Sequence, residues 1–196
     1  PYVDFSKIAS YELLWHPLLV ACARTGKPVV LSTGMATQDE VEAAFDAFAS
    51  AGGRDLVLLH CISGYPTPAG QCNLAALCAL RGVGARALRV RLRVGWSDHS
   101  VEPGVVQRAI HAHAASMVEF HLDLDGQGAE FASGHCWLPE PMAELIRQVR
   151  AAELADGTGK KSPAPCERAD RNWRADPTDG LRPLRALRAL CTGWPQ

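Results

Sequence analysis

The sequence predicts an α/β fold built on a parallel sheet, and three observations carry that reading. Short apolar runs alternate with helix-patterned segments at a spacing of roughly 25 to 35 residues, the rhythm of βα units. Two consecutive runs, Val94-Gly95-Trp96 and Met117-Val118-Glu119-Phe120, lead into His99 and His121. No G-x-G-x-x-G or Walker loop follows the first strand. An open doubly wound sheet and a (β/α)₈ barrel both fit, and in both the sites gather at the carboxyl ends of strands.

Taken in order, Val3 to Ile8 reads as a first strand and Leu13 to Ala23 as a helix started or broken by Pro17 and closed by Thr25-Gly26. Pro28 to Leu31 is the second strand, bounded by Ser32-Thr33-Gly34. Thr37 to Ala51 is the clearest helix. Thr37 and Glu40 form a capping box, Val41, Ala44, Phe45 and Phe48 form one apolar stripe, and Gly52-Gly53 stops it. Leu56 to Leu59 is the third strand, ending at His60-Cys61-Ile62-Ser63, and a loop with Pro66 and Pro68 leads to a helix over Leu74–Leu80. In Gly82–Arg93, Leu88, Val90, Leu92 and Val94 alternate with arginines, the pattern of a half-exposed strand running into Val94. Glu102-Pro103 opens a helix that continues through Ala115, before the fifth strand at Met117. Asp123 to Gly134 is a Gly- and Asp-rich loop. Pro139 or Pro141 starts a last helix striped by Met142, Leu145, Ile146 and Val149. Past Ala155 the composition turns to Gly, Lys, Pro, Arg and Asp, so residues 156–196 are expected to form an irregular tail.

With 196 residues, 47% hydrophobic and 21% charged, one packed domain with a tail is expected. A net charge of −1 gives no sign of a nucleic-acid or membrane partner. No apolar run approaches the ~20 residues a membrane span needs, and no signal-peptide pattern opens the chain. The seven cysteines lack C-x-x-C spacing. Cys22, Cys61 and Cys78 stand in apolar context and are expected as buried thiols, in a reducing, cytoplasmic protein. The chain opens on Pro1 and runs almost at once into a strand, so a piece of a longer protein is expected.

The strand ends hold the chemistry. His99 and His121 would close adjacent strands, and imidazoles there suit zinc, manganese or iron with water or substrate at the remaining positions. Either histidine alone reads more plainly as a core or rim residue; the pair at consecutive ends carries the metal reading. His113, on the apolar face of its helix, and His111 beside it read as structural. Lys7, Ser10, Ser32, Ser63 and Ser97 set one cation and four hydroxyls at the same ends, a set suited to phosphate or carboxylate. Each serine alone is an ordinary turn residue. Gly34 and Gly64 would let backbone approach a ligand.

Lys7-Ile8-Ala9-Ser10 and Lys27-Pro28-Val29-Val30-Leu31-Ser32-Thr33-Gly34-Met35-Ala36-Thr37 resemble the N-acetylneuraminate (sialic acid) synthase family. So do Leu58-Leu59-His60-Cys61-x-Ser63-x-Tyr65-Pro66-Thr67-Pro68, Gly95-x-Ser97-Asp98-His99-Ser100 and Glu119-x-His121, in that family's order and spacing. The likeness covers roughly Asp4 to Arg150. It implies a partial (β/α)₈ TIM barrel, the last five βα units, over residues 1–155. It further implies condensation of phosphoenolpyruvate with N-acetylmannosamine or a related acylated amino sugar, giving a nine-carbon 2-keto sugar acid and phosphate. The family's divalent metal ion, Mn²⁺ or Mg²⁺, is held by histidines matching His99 and His121, which are thereby the expected catalytic residues. Its phosphoenolpyruvate-binding residues match Lys7, Ser10, Ser32, Tyr65 and Ser97, while Ser63 stands where some members have asparagine. A homodimer is a candidate assembly. The first three strands of the family barrel are absent, and so is the Gly-Pro-Asp loop whose aspartate contacts the sugar. Glu130 is the candidate replacement. The Arg-rich segment departs from the family pattern, and the small antifreeze-like domain of many members has no counterpart in the tail. Two further readings stay open: a metal-dependent hydrolase in which His60 joins His99 and His121, and an inactive barrel fragment that binds a sugar or a partner chain.

Overall fold

The computed structural model describes residues 2–190. Six parallel strands form one sheet: β1 (Ser6–Ile8), β2 (Val29–Ser32), β3 (Asp55–Cys61), β4 (Arg91–Asp98), β5 (Val118–Leu122) and β6 (Cys136–Trp137). Their spatial order is their sequence order. Every crossover therefore steps the same way, with none of the reversal that defines a doubly wound sheet, and the sheet is part of a (β/α)₈-type barrel. Its curl brings the first and fifth strands together: Lys7 Nζ on β1 lies 3.2 Å from Glu119 Oε2 on β5.

The helices are α1 (His16–Arg24), α2 (Gln38–Ser50), α3 (Ala76–Val83), α4 (Pro103–His111), α5 (Ala129–Ala132) and α6 (Pro139–Ala155). Alternation along each strand divides the side chains between two layers. Leu31, Leu56, Leu58, Trp96 and Trp137 face the helices and pack with Phe45, Phe48 and Leu77 in the main core. Val30, Val57 and Leu59 face the concave side, with Met117 against them. The α2 capping box forms as expected: Thr37 N–H donates to Glu40 Oε2 at 2.7 Å, and Glu40 N–H to Thr37 Oγ1 at 3.3 Å. The stripe of Val41, Ala44, Phe45 and Phe48 is fully buried.

Several local expectations are corrected. Helix α1 begins at His16 rather than Leu13, because a helix reaching further back would set the Pro17 ring against the Leu13 carbonyl; Ser10–Glu12 form a 3₁₀ turn instead. The strand expected from Leu88 starts only at Arg91, and Leu88 is 91% exposed. The arginines create that misleading alternation. Arg86 pairs with Asp46 at 2.6 Å and Glu42 at 2.8 Å, Arg89 donates to the Ala49 carbonyl at 2.7 Å, and Arg91 and Arg93 both hold Asp55. Burial pushes the Asp55 carboxyl up, but the hydrogen bonds from Arg91 and Arg93 outweigh it and leave it below the usual range. Among the described residues there are six strands rather than five; β6 has two residues, too few for any periodicity. The 123–134 segment contains α5 and is ordered by Asp123, whose carboxylate accepts the N–H groups of Asp125, Gly126 and Gly128. Helix α4 ends at His111, so His113 lies beyond it. Ile146 is 42% exposed, outside the α6 stripe. Cys61 is buried and Cys22 partly so, but Cys78 is exposed; the six described cysteines are all free thiols.

The chain divides into two compact units, Pro1–Ala152 and Glu153–Gln196. In the second, 3₁₀ turns at Pro165–Glu167 and Asp170–Trp173 precede α7 (Arg185–Arg188). Asp176 organises it, accepting from Thr178 N at 2.9 Å and from Arg185 N at 2.7 Å. Those bonds, with the Thr178 hydroxyl foremost, hold its carboxyl at about 2. Among the described residues no helix is long and apolar enough to cross a membrane.

Candidate functional site

The concave face changes character along its length, apolar at Val30, Val57 and Leu59 and polar at the carboxyl ends. Ser32 and Cys61 follow Val30 and Leu59 by two positions on the same strands, and the register sets Lys7 beside Val30, Ser97 beside Cys61 and Glu119 beside Ser97, so these residues share that face with His121, two positions after Glu119. Ser97 Oγ donates to Glu119 Oε1 at 2.9 Å, and Lys7 pairs with the other oxygen of the same carboxylate. Ser10 Oγ accepts the Gly34 N–H at 2.9 Å. A Cβ on Gly34 would collide with Ser63 Oγ and Ser10 Oγ, so glycine is what lets these hydroxyls close on the β2 terminus. The Ser32 hydroxyl is buried and has no hydrogen-bond partner among the described residues. Gly64, by contrast, has open space around it.

The histidines gather around Tyr65. Its ring lies 4.1 Å from that of His99, 6.0 Å from His121 and 5.1 Å from His135, centroid to centroid. His99 and His121 are 5.2 Å apart, as expected of adjacent strand ends. His99 Nδ1 donates to the Ile62 carbonyl at 2.8 Å, and His121 Nδ1 faces Glu130 Oε2 at 3.0 Å. An acceptor at Nδ1 fixes the proton there and leaves each Nε2 lone pair for a ligand, the usual outer support of a metal-binding imidazole. The Glu130 carboxyl is held below its usual range, chiefly by its hydrogen bond with His121. Burial raises the Tyr65 phenol.

Four residues that matter here carried no site role in the sequence reading. Glu119 bridges Lys7 and Ser97; its position two before His121 was the available signal. Asp98 is completely buried and accepts five hydrogen bonds, from Trp96 Nε1, Trp137 Nε1, the Ser100 N–H and hydroxyl, and the Val101 N–H. These turn the chain sharply after β4, with Val101 at φ 56°, a left-handed conformation rare for a β-branched residue. His135 and Cys136 complete a group with His121 and Glu130 whose ligand atoms all lie within 4.8 Å of one another. Burial lowers the His135 imidazole, with the charge of His121 adding to it, and burial raises the Cys136 thiol.

His60 stays apart. It faces the helix layer, its Nε2 3.0 Å from the Cys72 carbonyl and its ring tilted against Trp96. Burial lowers its imidazole. The hydrolase reading thereby loses its third ligand.

Residues 1–161 match the model of the NeuB family. The chain belongs to that family. It is 39% identical over 165 residues to an uncharacterized protein of Methanocaldococcus jannaschii, covering 83% of this chain and 46% of that one. To an N,N'-diacetyllegionaminic acid synthase of Legionella pneumophila it is 34% identical, covering 81% and 44%. Among solved structures, the sialic acid synthetase of Leptospira borgpetersenii, determined with citrate, superposes with a TM-score of 0.69 at 29% identity, over 86% of this chain and 56% of that one. A truncated 3-deoxy-D-arabino-heptulosonate 7-phosphate synthase of Thermotoga maritima shares the fold at 19% identity and a TM-score of 0.63. The chain spans about half the length of the curated NeuB-family relatives it matches.

Proposed function

We propose that this chain carries the carboxyl-end half of a phosphoenolpyruvate-dependent sugar-acid synthase site, with an acylated amino sugar of the N-acetylmannosamine type as acceptor. The observation that supports it most is the pair His99 and His121. Their rings are 5.2 Å apart, each Nδ1 is engaged by a neighbouring acceptor, and Lys7 and a set of serines share the same strand ends. Nitrogen donors with free lone pairs suit a borderline divalent ion such as Mn²⁺ better than Mg²⁺, which prefers oxygen ligands. When bound, that ion supplies Lewis acidity toward the acceptor's aldehyde oxygen.

The chain's own groups have separable tasks in this reading. Lys7 is the point charge for the carboxylate or phosphate of phosphoenolpyruvate, and Ser10, Ser32, Ser63 and Ser97 orient it with hydroxyl donors. Tyr65 walls the site beside His99. Glu119 holds Lys7 and Ser97 until the anion arrives, and Glu130 steadies His121 beside the sugar. C3 of phosphoenolpyruvate bonds to the aldehyde carbon while the carbonyl π pair moves to the aldehyde oxygen, which takes a proton from the water that adds at C2; the C2–O bond to phosphate then breaks, leaving the 2-keto group and inorganic phosphate.

Because the chain spans half of its relatives, catalysis is assayed in a complete barrel made by joining it to the N-terminal portion of the Leptospira relative. The expected result is Mn²⁺-dependent phosphate release from phosphoenolpyruvate only when an acylated amino sugar is present. His99→Ala and His121→Ala are each expected to reduce it at least 100-fold with an unchanged circular dichroism spectrum. Phosphate release that ignores the sugar, or persists in both variants, contradicts the assignment.

A further inference from the structure

We propose that His121, Glu130, His135 and Cys136 form a site of their own for a thiophilic divalent ion of the zinc class, distinct from the ion assigned to His99 and His121. One ligand atom from each of the four lies within 4.8 Å of the others, and His99 is not part of the group. The donors are two imidazoles, a carboxylate and a thiol, a set that selects zinc or cobalt over manganese and magnesium because sulfur is a soft ligand. A second, independent observation points to a ligand. His135 is 7% exposed, and its Nδ1 is buried with no hydrogen-bond partner among the described residues. A buried polar nitrogen without a partner costs free energy, which an ion on that nitrogen removes.

The distances suit four-coordination. Around zinc, with nitrogen and oxygen ligands at about 2.0–2.1 Å and sulfur at about 2.3 Å, tetrahedral donors stand roughly 3.3–3.6 Å apart. His121 Nδ1 lies 3.0 Å and His135 Nε2 3.9 Å from Glu130 Oε2, on either side of that spacing. The two rings are 5.0 Å apart, centroid to centroid. No pair in the group has to close by more than roughly 1.5 Å, an adjustment of side-chain torsions rather than of backbone.

The fold explains why the four meet. Strand β6 pairs with β5 so that Cys136 stands opposite His121. Asp123 ties the start of the loop after β5, α5 carries Glu130 over the strand ends, and Gly134, at φ 83°, turns the chain back and sets His135 just before the strand. His121 is the one residue shared with the metal reading above. A neutral imidazole has a single lone pair, so His121 serves one ion at a time, and an ion seated here takes His121 from His99. The Cys136 thiol gives up its proton to solvent as the ion binds.

The test titrates the chain with Co²⁺, whose coordination by a thiolate gives a sulfur-to-metal charge-transfer band in the near ultraviolet. That band is expected in the wild type, retained in His99→Ala and lost in Cys136→Ser, while His135→Gln is expected to weaken Co²⁺ binding at least tenfold. No band in the wild type, a band that survives Cys136→Ser, or one lost in a folded His99→Ala chain overturns the proposal. A measurement on the wild type alone covers a variant that fails to fold. With ¹⁵N-histidine labelling and saturating Zn²⁺, the nitrogen shift of coordination is expected at His121 and His135. Shifts at His99 and His121 without His135 overturn the proposal and leave the metal reading above standing. No shifted imidazole overturns both.

Discussion

His99 depends on the residue before it. Asp98 faces the helix layer and gathers two indole N–H groups and the turn of Ser100 and Val101, so its neighbour His99 emerges toward the concave face. Removing that carboxylate strands two buried indole donors and releases the turn. Asp98→Ala is expected to lower unfolding stability by about 2–5 kcal/mol in urea denaturation. A loss under about 0.5 kcal/mol would show that the turn does not rest on Asp98. This residue was hidden in the sequence because one of its partners, Trp137, is 39 positions away. His99 and His121 were legible because each follows an apolar run. His135 was not: it precedes a two-residue strand and no pattern marks it.

At the scale of elements, the spacing of the two histidines is set by how closely β4 approaches β5. Gly95 makes that approach possible. A Cβ there would collide with the Met117 carbonyl oxygen and stand 2.7 Å from Leu59 Cδ2. The Trp96 N–H donates to that same Met117 oxygen at 2.9 Å, so the backbone cannot yield without parting the strands. Gly95→Ala is expected to cost about 1–3 kcal/mol and to weaken metal binding, measured by denaturation and by titration. Unchanged stability and affinity would mean that the strands adjust freely. Elements with a strong period or a capping box, such as α2, were readable from the chain alone. Those shaped by distant charge pairs were not. The arginines of Gly82–Arg93 look like one face of a strand, yet two of them, Arg86 and Arg89, reach α2 from a 3₁₀ turn and the segment after it.

At the scale of the molecule, the alternation of short strands and helices set the class, and in the sequence only the family resemblance separated barrel from open sheet. The strand order, and the Lys7–Glu119 pair joining β1 to β5, decide for a barrel segment. The consequence is a concave face whose polar end concentrates one lysine, several hydroxyls, a carboxylate pair and three histidines. In the proposed function, an anion and a divalent ion bind there side by side. The most direct measurement of that claim is the ³¹P relaxation of phosphoenolpyruvate in the presence of the chain and Mn²⁺. The expected result is strong paramagnetic relaxation of the phosphate, well beyond that of Mn²⁺ with phosphoenolpyruvate alone, and lost in the His99→Ala/His121→Ala variant. Relaxation that is the same with and without the chain, or unaffected by the double substitution, would contradict the account.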